Sequence, residues 1–442
     1  MAEYLIQGDT LTVMANHARR MKNSSNEMNA AEILEVMSRT QGNVKTTGKY
    51  SVEAISHTGE TLKSGMYDTG EVFALPDLSH NKDDHDNRVY QGWTCTGPLK
   101  NNYVVVGNQP VKAAVIYADN DDAFIVYISN ITDGTTIGFT LNSSQLTFDW
   151  GDGTVETMGH GTHTYNVGGD YTIKIYGDIK IPYFDEENRY YPFASSSHTS
   201  QYVSGLVISK YMTDIRKYYF SALPSLTDIC IPIGVKSIEN NAFTSCSSLT
   251  YVAIPNSVVS FGQSVFTACT NLKHVILPYE MTEIPKHFFQ GCTSLTDIIL
   301  PESITNIGDS AFFNCSSLTS ITIPNGVTNI GDSAFGVSSL TSGNVSLETI
   351  ILPESLINIS KCSFKYRRLK NIILLANEVC STDGDLFGES NLSNPGTLIS
   401  ALTEYMNGIY VPDYLVESYK IDSVWSTYAS MIKPLSECPI EY

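Results

Sequence analysis

The chain has 442 residues, enough for about three domains, with 42% hydrophobic residues to bury cores and only 17% charged ones. Its net charge of −19 repels phosphate backbones and anionic bilayers, which disfavours both nucleic-acid binding and membrane association. Nine cysteines occur without a C-x-x-C pair, so neither a zinc motif nor a redox motif is present.

Met1 to Arg20 shows no basic segment followed by an apolar core, which reads as no secretory signal. No run of 18 apolar residues exists for a membrane span. Residues 9–39 are expected to form two short helices. Asp9 is a good N-cap, and Leu11, Met14, Ala15 and Ala18 share one face of the first helix. Ile33, Leu34 and Met37 do so in the second. The segment AEYLIQGDTLTVMANHAR resembles one found on phage and prophage structural proteins. That resemblance implies an attachment element over 1–42, docking to other virion proteins and supporting a homo-oligomer, with trimers common in the class. Two helices alone bury little, so packing on a partner is expected.

Residues 43–118 read as short strands with polar turns. VYQGWTCTG and VVVGNQPVKAAVIYA, with Gly92, Trp93 and Val115-Ile-Tyr117, resemble the β-grasp-like repeats of Listeria and Bacteroides surface proteins. The acidic run Asp83, Asp84, His85, Asp86 between them lacks the glycine and distal glutamate of a calcium loop and reads as a solvated loop.

Residues 119–180 carry a sharper mark, LTFDWGDGTVETMGHGTHTYNVGGDYTIKIYG. It resembles a polycystic-kidney-disease (PKD) domain, a β-sandwich spacer. The resemblance makes Asp149, Trp150, Gly151, Asp152 and Gly153 the signature turn, and His163 to Ile173 the final hairpin. Trp150 and Tyr165 would then be core, with the aspartates shaping the turn. Two aspartates beside a glycine turn also raise calcium as a minor alternative; no cofactor is otherwise expected. Residues 181–205 are irregular and tyrosine-rich and read as a linker. The Asp185, Glu186, Glu187 cluster in it reads as solvated.

From 206 to 442 the chain repeats itself. LTYVAIP begins at Leu249, LKHVILP at Leu272, LTDIILP at Leu295 and LTSITIP at Leu318. Prolines 232, 255, 278, 301 and 324 are 23 apart, as are Phe220, Phe243, Phe266, Phe289, Phe312 and Phe335. After an insertion near Thr341 to Val345, Phe364 and Phe387 continue the column. Alternating apolar residues require strands. Proline then ends each strand because it cannot donate to a ladder. One repeat cannot bury its own face, but a stack can, with each Phe packed on the next. Eight turns at ~4.8 Å make a rod of about 40 Å. The pattern closely resembles the BspA-type leucine-rich repeats of bacterial surface proteins. Leu295 to Pro301, Ile307-Gly-Asp-Ser-Ala-Phe312 and Cys315-Ser-Ser-Leu318 carry the match. Leu206–Phe220 fits as a capping repeat, and Tyr410 to Leu435 as the closing segment.

Cys246, Cys269, Cys292 and Cys315 form a column. Disulfides or a metal are one reading; parallel, in-register thiols acting as small buried hydrophobes is the better one.

Two positions of each repeat strand point away from the core. The first column is Asp228, Tyr251, His274, Asp297, Ser320, Thr349 and Asn371; the second is Cys230, Ala253, Ile276, Ile299, Thr322, Ile351 and Ile373. The second is unexpectedly apolar and would form a stripe of about 30 Å. Such a stripe marks an interface, covered by a neighbouring subunit or a ligand. The alternative is that β propensity alone places isoleucine there. The candidate binding residues are therefore Tyr251, His274, Asp297, Ile276, Ile299, Ile351 and Ile373.

No G-x-S-x-G elbow, H-E-x-x-H, P-loop or G-x-G-x-x-G occurs. The chain thus reads as mainly β: short N-terminal helices, two small β domains, then a solenoid. The expected role is non-enzymatic. A phage tail or head fibre that binds a host cell-surface protein or glycan fits the surface-type modules and the absent export signal. The first alternative is a bacterial cell-surface adhesin, and the second an accessory part of a glycan-active enzyme.

Overall fold

The computed structural model describes residues 50–55, 61–67, 72–76, 88–96, 99–100, 103–105, 111–119, 123–139, 141, 145–158, 161–177, 199–338, 347–365, 368–388 and 406–440. All of them belong to one compact unit, Tyr50–Tyr442. The expected N-terminal helices, the acidic run at Asp83 to Asp86, the Asp185 to Glu187 cluster and the insertion near Thr341 lie outside the described residues.

The first layer is a four-stranded sheet of β1 (Tyr50–Ile55), β2 (Thr61–Tyr67), β4 (Arg88–Cys95) and β7 (Val111–Asp119), in the order β2-β1-β7-β4. β1 and β7 run parallel at its centre, with antiparallel edges. A small sheet of β3 (Val72–Ala74), β5 (Leu99–Lys100) and β6 (Tyr103–Val105) accompanies it. YSVEAI alternates, so Val52 and Ala54 share one face. They are buried in one cluster with Phe73, Cys95, Val104 and Ala113.

The second layer holds β8 (Phe124–Ile131), β9 (Thr135–Phe139), β10 (Leu146–Asp149), β11 (Val155–Met158), β12 (Gly161–Tyr165) and β13 (Gly169–Tyr176). β11-β10-β13-β8 form one sheet and β12-β9 a second pair. Phe139, Phe148, Trp150, Tyr165, Ile173 and Ile175 are buried among them. The expectation of a spacer followed by a linker needs correction at its end. β8 pairs antiparallel with β14 (Val203–Val207), and β14 pairs parallel with the first full repeat strand, Asp228–Cys230. The sheet therefore runs on into the repeats. A solenoid's first strand has unpaired backbone groups, and β8 satisfies them.

Each repeat then supplies a three- or four-residue strand on one side and a two-residue strand on the flank. The flank strands pair in parallel register in two ladders, one from Asp214–Ile215 to Ser260–Phe261 and one from Glu283–Ile284 to Asn358–Ile359. Phe220, Phe243, Phe266, Phe289, Phe312, Phe335 and Phe364 stack at centroid spacings of 5.4–6.2 Å. Phe124 of β8 extends this spine at one end (6.1 Å), and Tyr428 meets Phe387 edge-on at the other (5.6 Å). One core consequently runs from Phe124 to Ile432.

The corner before each Phe holds a residue that the repeat pattern does not reveal. Tyr218, Asn241, Ser264, His287, Ser310, Ser333 and Cys362 all have φ between +54 and +62°. A non-glycine residue there costs of order 1–3 kcal/mol. The conformation turns backbone N–H groups toward the neighbouring turn: Asn241 donates to Gln263 O (2.9 Å), Ser264 to Lys286 O (3.0 Å) and His287 to Asp309 O (2.9 Å). The ladder thus offsets the strain.

Strands Gly408–Val411 and Ile432–Pro434 extend the sheet, with the helix α1 (Val416–Ile421) between them. The Trp425 indole donates to Cys380 O (2.7 Å), and the hydroxyls of Tyr419 and Tyr428 accept from Cys380 N (3.0 Å) and Leu386 N (3.2 Å). Aromatic side chains here satisfy the backbone that a further turn would have paired.

Candidate binding face

The outward residues of the repeat strands lie in register: Tyr251 beside His274, Ala253 beside Ile276, Asp297 beside Ser320, and Ile351 beside Ile373. The middle residues, such as Val252, Val275 and Ile298, point into the core. Both expected columns therefore form.

Their surroundings differ along the rod. At the N-terminal end the apolar column is covered by the same chain. Ile55 of β1 packs with Ala253 and Ile276, and Tyr251 lies against that cluster. Ile276 is 0% exposed. The Thr94 hydroxyl donates to Ile254 O (2.7 Å) and lies 3.1 Å from Asn256 Oδ1. Lys112 Nζ reaches Asp297 Oδ2 at 2.7 Å. This corrects the expected occupant for Cys230, Ala253 and Ile276, which need no second subunit or ligand. The signal was present in β1. Its Ile55 is apolar on the face opposite Val52 and Ala54, and a strand apolar on both faces is covered on both.

At the C-terminal end Ile373 is fully buried, in register with buried Tyr410 of the next strand. Between the two ends Ser320 and Thr322 are exposed, and Ile299, Thr349 and Ile351 are half-buried. Of the seven candidate residues, Tyr251, Ile276 and Ile373 are thus packed away. His274 and Asp297 border the covered patch, while Ile299 and Ile351 flank the open stretch.

The charges at this border are tuned. Burial raises the Asp297 carboxyl, but the Lys112 hydrogen bond and charge, with Thr296 and His274, outweigh it and hold the group below its ordinary range. Burial pushes the His274 imidazole down, aided by the charges of Lys112 and Lys273, with Asp297 3.7 Å away opposing. His274 is therefore neutral at pH 7.

The Asp149–Gly153 turn is a packing device. Gly151 and Gly153 have φ of +78 and +94°. Asp149 Oδ1 accepts from Gly151 N (3.1 Å), and Asp152 Oδ1 from Thr154 N (3.0 Å). Asp152 Oδ2 also lies 2.7 Å from His163 Nε2. Trp150 is buried against Phe148 and His163, and Tyr165 donates to its carbonyl at 2.8 Å. Both aspartates are thereby committed to local bonds. Among the described residues no group of three or more His, Cys, Asp or Glu is arranged to hold a metal.

The cysteine column has a direct role. Each thiol donates to the carbonyl of the Phe 26 residues before it: Cys246 to Phe220 (3.0 Å), and Cys269, Cys292 and Cys315 to Phe243, Phe266 and Phe289 (3.2 Å each). All four are buried and free of disulfides. Burial pushes the Cys246 thiol up to about 12.

Residues 213–341 and 339–410 match the BspA type leucine rich repeat region, in six copies. This part of the chain is a BspA-type leucine-rich repeat region. The whole is similar to a leucine-rich repeat protein from Bacteroides ovatus, with 22% identity over 62% of this chain and 71% of that one, and a TM-score of 0.43. It is similar also to the T. pallidum leucine rich repeat protein (31% identity, 41% and 79% of the chains, TM-score 0.31). A third is a leucine rich cell surface protein from Faecalibacterium prausnitzii (24% identity, 40% and 54%, TM-score 0.28). No curated protein matches the chain. Among the described residues no helix is long and apolar enough to cross a membrane.

Proposed function

We propose that this protein is a non-enzymatic binding module of the bacterial cell surface, in which the BspA-type region presents a rigid rod to a partner. The observation that carries the reading is the BspA-type match over a stack with one uninterrupted core. A solenoid of this kind is an extended surface, and such surfaces serve recognition. The open stretch around Ser320, Thr322 and Ile351 provides part of it. The sandwich and the small sheet brace the N-terminal end.

The virion-fibre reading rests on the N-terminal segment resemblance, which lies outside the described residues. The repeats favour the surface adhesin over it. Beads coated with the full chain should retain intact animal epithelial cells, and protease treatment of intact producing bacteria should release repeat peptides. Beads that retain nothing, together with peptides released only after lysis, would sink the proposal.

A further inference from the structure

The flank that carries the two-residue strands departs from its own repeat at one place. Ile215, Ile238, Ile284, Ile307, Ile330 and Ile359 occupy one column and are each 0% exposed. The seventh member is Phe261, which is only half-buried. The cause lies one turn on. Phe288 stands where other turns carry Ala242, Val265, Ala311 or Ala334, and it fills the core space. The Phe261 ring is left at the surface, edge-on to Phe288 at 5.8 Å.

Hollows of about 450 and 320 Å³ open on either side, sharing Asn240, Phe261 and Gly262 as walls. Together they reach from Lys217 to Asn329, a groove spanning five turn spacings, or ~24 Å. Its polar groups are half used. Asn240 Oδ1 accepts from Gln263 N (2.8 Å), and Asn306 Oδ1 from Asn329 Nδ2 (2.9 Å). The Nδ2 donors of Asn240 and Asn306, the Gln263 amide and the Glu283 carboxylate have no partner among the described residues. Lys286 is already paired with Asp309 at 2.6 Å.

We propose that this groove binds a neutral oligosaccharide, with a sugar ring stacked on Phe261 and its hydroxyls bonded to Asn240, Gln263, Glu283 and Asn306. The proposal rests on the binding-module reading above and names its ligand class. Sugar hydroxyls both donate and accept, which suits a mixture of free amides and a carboxylate, while the C–H face of a pyranose suits an aromatic ring. An extended peptide fits less well. It would add to a strand through backbone groups; the flank ladder is open only across the single turn spacing between Ser260–Phe261 and Glu283–Ile284, and on either side the groups are spent between turns, as Gly262 N to Ile238 O (2.7 Å) and Gly308 N to Ile284 O (2.8 Å) show. Acidic glycans meet Glu283 and a chain of net charge −19.

The test is a printed panel of neutral gluco-, manno-, galacto- and N-acetylglucosamine oligosaccharides beside sialylated and uronic-acid ones, probed with the full chain. Calorimetry on the strongest hit follows. A neutral oligosaccharide should bind, and Phe261→Ile, which restores the residue of the other turns, should weaken it at least tenfold with an unchanged unfolding midpoint. Gln263→Ala, at an exposed site that tolerates change, should weaken it several-fold. No binding on the panel, binding of acidic glycans alone, or wild-type affinity in Phe261→Ile would overturn the assignment. Coated beads that still retain cells when the panel is blank would overturn the groove alone; failure of both would remove the binding-module reading as well.

Discussion

Two β layers precede the repeats, and each is joined to them by different physics. The layer of β8 to β13 shares hydrogen bonds and a core with the rod. Its β8 is a sheet neighbour of β14, and Phe124 is the first ring of the aromatic spine. The layer of β1 to β7 touches the rod sideways. It meets the repeats through side chains: Ile55, Thr94 and Lys112, and a buried cluster in which Val52, Phe73 and Val104 pack with Ile125, Val207 and Cys230 of the shared sheet. A shared sheet couples stability over the whole length, whereas a side-chain contact can be undone without melting either partner. The layer of β8 to β13 should therefore unfold with the repeats and the layer of β1 to β7 independently of them.

The largest effect tests the shared core. Phe266→Ala removes a fully buried ring from the middle of the spine and should cost about 3–5 kcal/mol. In a Trp93→Phe background, Trp150 in the sandwich and Trp425 in the closing segment report on opposite ends. We expect their fluorescence transitions in urea to shift down together. A Trp425 transition that moves while that of Trp150 stays would mean that the sandwich stands apart.

The next effect tests the side contact. Ile276→Lys puts an ammonium against Ile55 in a closed patch and should cost about 2–3 kcal/mol of docking. Hydrogen exchange should accelerate in Tyr50–Ile55 and Val111–Asp119, while the strands around Val275 stay protected. Ile299→Lys, one repeat later in the same column but half-exposed, should change stability by less than about 0.5 kcal/mol. Equal behaviour of the two variants would break the distinction between covered and open face.

These paired residues also show how far the sequence could be read. The 23-residue step, the Phe column and the proline punctuation follow from periodicity and predict the stack, its inward residues and its closing segment. Ile276 and Ile299 are the same residue at the same position of the repeat, however, and it is the tertiary docking of β1 and β7 that covers one and not the other. Periodicity describes a repeat against itself and is silent on what lies across its face. The continuity of β8 with β14 was hidden for the same reason, since edge pairing depends on which strand end is left open. Phe261 and Phe288 were visible as departures from their columns, but their meaning needed the geometry of two neighbouring turns. The recurrent positive φ had no signal, because Tyr218, Asn241, Ser264 and His287 share no residue type.

A smaller effect distinguishes packing from hydrogen bonding within the shared core. Cys269→Ala removes the thiol bond to Phe243 O, which keeps its bond from Cys246 N (3.3 Å), and should cost about 0.5–1.5 kcal/mol, whereas Cys269→Ser keeps a second donor and should recover part of that. The four column thiols should resist a thiol reagent in the folded chain and react on unfolding, since all four are buried and burial raises the thiols of Cys246, Cys269 and Cys292. Prompt labelling in the native state would contradict the closed column.

The smallest effect returns to the side contact and can be read by pH alone. Asp297 is held below its ordinary range in the docked state, with Lys112 the chief stabilising partner. A carboxyl whose folded value is depressed contributes stability in full above its unfolded value, near 3.9, and loses it as pH falls through the folded value. Docking of β1 and β7 should accordingly weaken below about pH 4. The Asp297 side chain is 38% exposed, so solvent screening limits the gain to roughly 0.2–1 kcal/mol. Asp297→Asn should abolish that pH dependence while leaving the Trp150 and Trp425 transitions where they were. If exchange in β7 is indifferent to pH between 3 and 5, the ion pair contributes nothing and the contact rests on Ile55 and Thr94. If Asp297→Asn instead lowers the spine's own midpoint, the two layers are coupled more closely than a side-chain contact implies.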